Sequence, residues 1–391
     1  EQNLARSFAA ISLGLLGETG VFPSLKKMVG SKENSDIQFG AIAALGFLNT
    51  PEIQAFLIDQ LGNNKLDRMV RAQIPISLAR LGCDSVVPDL VKLLGGKKVD
   101  IRMQESCVVA LGMLGTFNDS YKALTDLITD GRNIQAQHFA FMSLAKIANR
   151  ESEANVERIT KFLLKQLVKP KKHTYTPWTA LALGVIGSEL YDGLNMSNQW
   201  ITINNKLVDA YERQNNPSFK AGIGIGLALA KCNNATDMLY DTFLDTHDNG
   251  LKGYTAIALG LLRSADALDT LRIELIKTSD TKYKIQVATA LGLLGDKGST
   301  STLINQLKTA KTLHETSALC KALGLIGDKS AINPLCDLTR DKRVPDLTRA
   351  FACVALGLLG EKTQLPWNSK LSVDCNYRIV TPSQVEILDI L

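Results

Sequence analysis

The hexapeptide Ala290-Leu291-Gly292-Leu293-Leu294-Gly295 recurs with small changes along most of this chain. Its copies begin at Ser12, Ala44, Ser77, Ala110, Ser143, Ala182, Ala228, Ala258, Ala290, Ala322 and Ala355. Most neighbouring copies are 32 or 33 residues apart, and the spacing is irregular only between Ser143 and Ala258. A fixed period of this length predicts a solenoid in which each repeat is one supersecondary unit.

The hexapeptide has the pattern of a helix that another helix approaches closely. Val287, Leu291 and Leu294 recur at the spacing of one helix face. Glycine inside a helix costs about 1 kcal/mol relative to alanine, and close approach of a second helix explains that cost. This third position of the hexapeptide, the anchor position, holds Gly14, Gly46, Ala79, Gly112, Ala145, Gly184, Ala230, Gly260, Gly292, Gly324 and Gly357.

The sixth position of the hexapeptide is predicted to end the helix, because glycine there can adopt the left-handed conformation of a C-terminal cap. Glycine occupies it at Gly17, Gly82, Gly115, Gly187, Gly295, Gly327 and Gly360. Asn49 and Asn233 replace it with the next most tolerant residue type. Arg263 departs from the pattern.

The segment between two hexapeptides is predicted to be another helix. Thr50 is a good N-cap, Pro51 suits the first helical position, and Ile53 and Leu57 supply an apolar face. Each repeat is therefore a first helix, a turn and a second helix that ends in the hexapeptide. Stacked neighbours must bury the apolar faces, so we expect an all-α, right-handed α–α superhelix of about ten helix pairs.

From Leu4 to Gly360 this pattern resembles HEAT-repeat proteins, in particular the short HEAT repeats of the bacterial phycobilin-lyase type. A polar residue eight positions before the anchor adds to the resemblance: Arg6, Gln38, Arg71, Gln104, Gln137, Lys252, Lys284 and Arg349. The resemblance implies that this position forms a ladder, bonding turn carbonyls and carboxylates. Thr176, Gly222 and Thr316 depart from it.

The period predicts five segments. Residues 1–17 are half a repeat, 18–148 four regular repeats, 149–233 two expanded repeats, 234–360 four regular repeats, and 361–391 a capping or docking tail. In the tail, Ser383 and Glu386 have the spacing of a capping box. The chain starts at Glu1 with a second helix, which suggests a processed, trimmed or incomplete N-terminus and leaves an exported or lumenal compartment open.

Composition sets weaker bounds on function. A net charge of +5 does not require a nucleic-acid partner, and no apolar run is long enough to predict a membrane span. Seven cysteines follow no zinc or disulfide framework, which favours a soluble protein in a reducing, intracellular compartment. Cys107, Cys320 and Cys353 are predicted to be small core residues of second helices.

The expanded repeats carry the candidate binding residues, because insertions in solenoids often map to the binding face. The candidates are Lys161, Lys165, Lys169, Lys171, Lys172, Tyr175, Trp178 and Trp200. A simpler interpretation competes with this one. The lysines can be the solvated face of a helix whose dry face is Phe162, Leu163 and Leu167, and the tryptophans can belong to the core.

The sequence predicts no catalytic, cofactor-binding or metal-ligating residue. The four histidines are scattered, and none is spaced as a metal ligand with another His or Cys. Gly222, Gly224 and Gly226 superficially resemble a phosphate loop, but they fall inside a second helix and are followed by neither Lys-Ser nor Lys-Thr. We therefore expect these glycines to make helix contacts.

The function expected from this architecture is that of a non-enzymatic scaffold. It would bind other proteins, organise a larger multiprotein complex, and self-associate end to end, into filaments or tubules. The family resemblance leaves open an alternative, a bilin lyase-like or chaperone-like subunit. The lysines leave open a second alternative, nucleic-acid binding through the basic insertion.

Overall fold

The computed structural model describes residues 2–30, 34–96, 99–191 and 197–360, and these residues form α-helices and short 3₁₀ turns without any β-strand. The predicted tail at 361–391 lies outside the described residues. Contacts divide the chain into two units, with the boundary between Leu163 and Leu164. Each unit is a stack of helix pairs.

The first unit contains nine complete helices and the start of a tenth among its described residues. They are α1 (Gln2–Leu15), α2 (Phe22–Gly30), α3 (Ser35–Leu45), α4 (Pro51–Leu61), α5 (Arg68–Arg80), α6 (Val87–Leu94), α7 (Ile101–Leu114), α8 (Phe117–Asp130), α9 (Ile134–Ala148) and α10 (Glu153–Val168). The odd-numbered helices α1 to α9 are second helices, and each packs against the next one along the chain.

The second unit begins within α10 and repeats the arrangement. Its further helices are α11 (Tyr175–Leu190), α12 (Asn198–Arg213), α13 (Pro217–Leu229), α14 (Thr236–Asp245), α15 (Asn249–Leu261), α16 (Leu268–Lys277), α17 (Thr281–Leu294), α18 (Thr300–Thr309), α19 (Leu313–Ile326), α20 (Ile332–Arg340) and α21 (Asp346–Gly360). Second helices α11 to α21 stack in order, and each even-numbered helix from α12 packs on the second helix that follows it. The α-solenoid predicted from the period is confirmed.

The anchor glycines sit where neighbouring second helices come closest. A Cβ added to Gly260 would lie 2.8 Å from the carbonyl oxygen of Ala290 and 3.0 Å from its Cα. A Cβ added to Gly46 would lie 2.9 Å from the Cα of Ser77. These distances are too short for a real side chain, so the predicted reason for the small anchor residue is confirmed.

Where the residue two before the anchor is serine, its hydroxyl links two second helices. Ser77 Oγ on α5 donates to the carbonyl of Ile42 on α3 at 2.8 Å. Ser143 Oγ on α9 donates to the carbonyl of Val108 on α7, also at 2.8 Å. Both acceptors stand four residues before the neighbouring anchor glycine. The repeat therefore specifies a polar contact as well as a close approach.

The predicted left-handed caps are partly confirmed. Positive φ values occur at Gly17, Gly82, Gly295 and Gly327. The prediction is wrong for Gly115, which is extended, for Gly187, which lies inside α11, and for Gly360, the last residue of α21. It is also wrong for Asn49 and Asn233. Lys231 and Arg263 adopt the left-handed conformation instead, with φ of 57° and 56°.

The polar ladder is confirmed in the repeats that carry it. Gln38, Gln104 and Gln137 each donate through Nε2 to carbonyls at the end of the preceding first helix, at 2.9–3.2 Å. The lysines at this position meet carboxylates instead: Lys252 Nζ lies 3.5 Å from Glu274, and Lys284 Nζ lies 3.6 Å from Glu315. Each contact ties the start of a second helix to a neighbouring element.

The cysteines only partly follow the prediction. Cys107 and Cys320 are buried, and burial raises the pKa of each thiol to about 12. Cys353 was expected in the core but is exposed on α21. The expectation is wrong there because no described helix packs against that side of α21.

Candidate functional site

The lysines of the basic insertion lie on α10 and in the turn that follows it. Lys165, Lys169 and Lys171 are exposed and Lys172 is half-buried. These four residues, the lysine cluster, belong to the second unit, whereas Lys161 belongs to the first unit and is also exposed. The dry face of α10 is formed by Leu163 and Leu167, with Phe162 half-buried, as the helical spacing predicts.

No acidic residue accompanies these lysines along the chain. The sequence contains neither Asp nor Glu from Arg158 to Ser188. Lys165 and Lys169 form no ion pair with any acidic side chain of the described residues. Their ammonium groups are solvated, and an external carboxylate or phosphate can approach them without displacing an internal partner.

The aromatic candidates lie mostly inside the protein. Tyr175 begins α11 and is fully buried, with the ammonium group of Lys172 over its ring at 5.7 Å from the centroid. Trp178 is half-buried on the same helix. Trp200 on α12 is only 4% exposed, and its Nε1 donates to the carbonyl of Ala230 at 2.8 Å. The structure therefore does not bring Tyr175 and Trp200 to the surface with the lysines.

A second basic surface surrounds a groove near the C-terminal end of the described residues. The groove has a volume of about 810 Å³ and lies between α18, α20 and the turns that follow them. Lys308, Lys311 and Arg340 line it, are exposed, and form no ion pair with a described acidic side chain. Apolar walls are supplied by residues such as Leu307 and Pro334.

One turn at the edge of this groove is fixed by an arginine–aspartate pair. The guanidinium of Arg343 donates to both carboxylate oxygens of Asp341, at 2.9 Å each. These bonds, with a further bond from the backbone N–H of Arg343, lower the pKa of Asp341 to about 2. Asp341 therefore stays ionised at neutral pH and remains paired with Arg343, so it does not neutralise the other cations.

The repeat spacing contains a signal for this groove that a motif search does not use. Lys308 and Arg340 are 32 residues apart, and so are Lys311 and Arg343. In a solenoid of this period, residues separated by one period occupy equivalent places on adjacent repeats. Basic residues recurring at one period therefore mark a shared basic surface.

The described residues offer little evidence for a chemical site. No group of three His, Cys, Asp or Glu residues among them is placed to hold a metal ion. The glycine run at 222–226 lies in α13, where Gly226 faces the carbonyl of Ala180 on α11 at 2.5 Å from an added Cβ. The prediction that this run makes helix contacts is confirmed. Nor is any described helix long and apolar enough to cross a membrane.

Comparison with known proteins identifies the repeat type. The family model for HEAT repeats matches residues 270–357, which extend from α16 to α21. No curated protein matches the chain significantly. The matched segment and the stacked helix pairs are those of a HEAT-repeat solenoid, a fold that is generally non-enzymatic and generally mediates protein–protein interactions.

Proposed function

We propose that this HEAT-repeat chain is a non-enzymatic scaffold, which binds other proteins and organises them into a larger complex. The fold supports the proposal at the general level, because stacked helix pairs present surface residues from many repeats in a regular order. The specific observation that carries it is the lysine cluster formed by Lys165, Lys169, Lys171 and Lys172. We infer that the partner is a protein with an acidic surface.

Electrostatics explains why such a cluster favours an acidic partner. Three of the four ammonium groups are well exposed, and the surrounding sequence holds no competing carboxylate. Clustered charge of one sign steers an oppositely charged protein and raises the association rate. Each exposed ion pair contributes only about 0–1 kcal/mol, so several lysines must act together.

The groove between α18 and α20 supports the same class of partner. Its cations, Lys308, Lys311 and Arg340, lie beside an apolar wall that includes Leu307 and Pro334. An extended acidic segment with a few apolar side chains fits both features, because it would meet cations and bury apolar surface. The two surfaces would hold separate acidic regions of the complex.

Nucleic acid is the competing partner for exposed lysines. Proteins that bind single strands combine a basic path with aromatic side chains on which bases stack. Here Tyr175 and Trp200 are buried, and the indole N–H of Trp200 is bonded within the core. These two rings therefore give the lysines no stacking platform, which favours an acidic protein.

Charge reversal tests the proposal directly. The triple variant Lys165→Glu, Lys169→Glu, Lys171→Glu should lose at least tenfold in partner recovery from native extract. The matched control is Lys277→Glu, Lys282→Glu, Lys329→Glu, which changes the net charge equally at exposed lysines elsewhere. The control should recover the partner as well as the original chain does.

Three results would contradict the proposal. Equal recovery by both triple variants would show that the cluster does not contact the partner. Loss of the captured material after nuclease treatment would assign the lysines to nucleic acid. Recovery of the chain alone, with no stoichiometric protein, would argue against a scaffold altogether.

A further inference from the structure

Each second helix has one face that meets the preceding repeat and another that meets the following repeat. Added Cβ atoms identify the two faces. Gly253, seven before the anchor, faces Gln286, which is six before the next anchor; the anchor Gly260 faces Ala290, two before the next anchor. On the helix that receives them, residues six and two before the anchor and one after it therefore face backwards.

The forward face of α21 has no covering helix among the described residues. Val354, three before its anchor, is 60% exposed, whereas the equivalent Ile257 on α15 is fully buried. Cys353 is exposed, whereas the equivalent Cys320 on α19 is buried. A Cβ added to the anchor Gly357 would meet no described atom within 4 Å. This face is ready to receive another second helix.

The backward face of α1 is uncovered in the complementary way. Phe8, six before the anchor, is 65% exposed, and Leu15, one after it, is 47% exposed. Ser12 holds the position of the linking serines, two before the anchor. Its hydroxyl bonds the carbonyl of Phe8 in its own helix at 2.9 Å, whereas Ser77 and Ser143 bond the neighbouring helix.

We propose that α1 of a second copy of this chain packs on the forward face of α21. In that contact the hydroxyl of Ser12 takes the carbonyl of Cys353, four before the anchor, as Ser77 takes that of Ile42. Phe8 and Leu15 cover Val354 and the space beside Gly357. The contact continues the stacking interface that already joins α19 to α21.

The side chains that meet in this contact are uncharged on both sides. Ala350, Cys353 and Val354 of one copy would face Phe8 and Ser12 of the other. No ionisable pair is buried, so desolvation of charge does not oppose association. Because the two faces differ, the contact is heterologous and leaves one free face at each end, so copies can add in a row.

Residues 361–391 of the same chain fit this face less well. The apolar helix predicted at 383–391 has a single small side chain, Ser383, at its first position. If Ser383 faced Gly357, the residue that should lie four positions earlier, Ile379, would precede Pro382 and fall outside that helix. The second copy supplies both side chains from one continuous helix.

This inference rests on the self-association part of the proposed function and is tested by cross-linking the full chain. Ser12→Cys is introduced with Cys336→Ser and Cys375→Ser, so that Cys353 is the remaining exposed native thiol of α21. A short bis-maleimide should then join the thiol introduced on α1 of one copy to Cys353 of another. The product should be a ladder of dimers, trimers and longer species, and sedimentation should show mass rising with concentration.

Controls keep the test specific. Ser301→Cys, on the exposed surface of α18, in the same background should give no ladder. Val354→Glu should abolish the ladder and move the rise in mass to at least tenfold higher concentration, while the exposed Ile276→Glu on α16 should change neither. Since Val354 and Ile276 are both exposed, neither substitution should unfold the monomer.

Two outcomes would overturn the inference. One is a chain that remains monomeric at high concentration and forms no ladder. The other is Cys353 protected from alkylation in the monomer and released by Leu388→Glu, which would identify the tail as the occupant. Failure here is distinguishable from failure of the partner proposal, since Val354→Glu should leave lysine-dependent capture intact, and the lysine variant should leave the ladder intact.

Discussion

At the scale of single residues, the anchor glycine balances two free energies. Its place inside a helix costs about 1 kcal/mol relative to alanine. A side chain at the same place would force apart two helices whose backbones are in contact, as the 2.8 Å distance at Gly260 shows. Overpacking of this kind costs about 1–3 kcal/mol, so close approach outweighs helix propensity.

Two glycine substitutions separate these effects. Gly260→Ala should lower the free energy of unfolding by about 1–3 kcal/mol, because the new Cβ meets the backbone of Ala290. Gly357→Ala should instead raise it by up to about 1 kcal/mol, because no described atom opposes the Cβ and helix propensity improves. Denaturant titration of dilute protein measures both. Equal effects at the two sites would contradict the close-approach explanation.

The ladder glutamines give a second residue-scale prediction. Gln137 is fully buried and donates to the carbonyls of Leu127, Ile128 and Gly131. Gln137→Leu leaves those carbonyls without this donor and should cost about 2–3 kcal/mol of stability. Gln104→Leu, at a half-buried site with one such bond, should cost about 1 kcal/mol.

Thermal and denaturant unfolding of the two glutamine variants provides the check. A larger loss for Gln104→Leu than for Gln137→Leu would show that the number of satisfied carbonyls does not set the contribution.

Much of the residue scale could be predicted from the sequence. The small anchor residues and the ladder glutamines follow from the period, because equivalent residues meet equivalent neighbours in a repeat. The burial of Trp200 could not be predicted, since an indole serves equally well in a core or at an interface. Its environment depends on the carbonyl of Ala230, which lies 30 residues away.

At the scale of elements, an ion pair links α16 to the turn that precedes α18. Arg272 Nη2 donates to Asp296 Oδ1 at 2.6 Å, and Nε donates to Oδ2 at 2.9 Å. Burial alone would raise the pKa of Asp296, but the bonds from Arg272 and Ser299 outweigh it and lower that pKa. The carboxylate is therefore more stable in the folded protein than in the unfolded chain.

This shift predicts how stability depends on pH. A folded-state pKa below the unfolded value of about 3.9 contributes stability that is fully present above that value and is lost as pH falls through the folded pKa. Asp296→Asn should therefore destabilise the protein at pH 7, and the difference from the original chain should shrink below about pH 4.

Unfolding measured between about pH 2.5 and 7 tests the ion pair. A difference that stays constant over this range would mean that the charge of Asp296 does not contribute. Asp241→Asn, at an exposed position on α14, serves as the control and should show little effect at any pH.

Helix existence could be predicted better than helix ends. The period located the second helices, but the conformation at a helix end depends on competing local bonds. At Lys231 and Arg263 the next turn forces a left-handed residue even though no glycine is present, which overrides the intrinsic preference. At Gly115 a bond from its N–H to the carbonyl of Leu111 ends α7 with an extended residue instead.

At the scale of the whole molecule, the proposed scaffold acts through charge and through stacking. The lysine cluster and the groove cations are exposed, so their attraction for an acidic protein should weaken with ionic strength. The contact between α21 and α1 of another copy buries uncharged side chains and should not weaken in the same way. The two kinds of association are therefore separable by salt.

A salt titration checks this separation. Raising ionic strength from about 0.05 to 0.5 M should release the acidic partner, because the screening length falls to a few ångströms. Self-association of the purified chain should persist or strengthen over the same range. Sedimentation of the two mixtures provides the readout, and loss of self-association with the partner retained would reverse the assignment of the two surfaces.

The sequence predicted the lysines and the architecture, but not the groove. The groove depends on two turns, at 310–312 and 341–345, meeting between α18 and α20. Its signal is the spacing of 32 residues between Lys308 and Arg340, which becomes meaningful only when the repeat is used as a ruler for surface charge.

The most direct measurement is the size of the chain in native extract, obtained by gel filtration with mass spectrometry across the fractions and nuclease as a control. A scaffold should elute well above the size of a monomer, in fixed ratio with at least one acidic protein, and Lys165→Glu, Lys169→Glu, Lys171→Glu should shift it to smaller species. Elution of the unaltered chain as a monomer, with no co-eluting protein, would contradict the account.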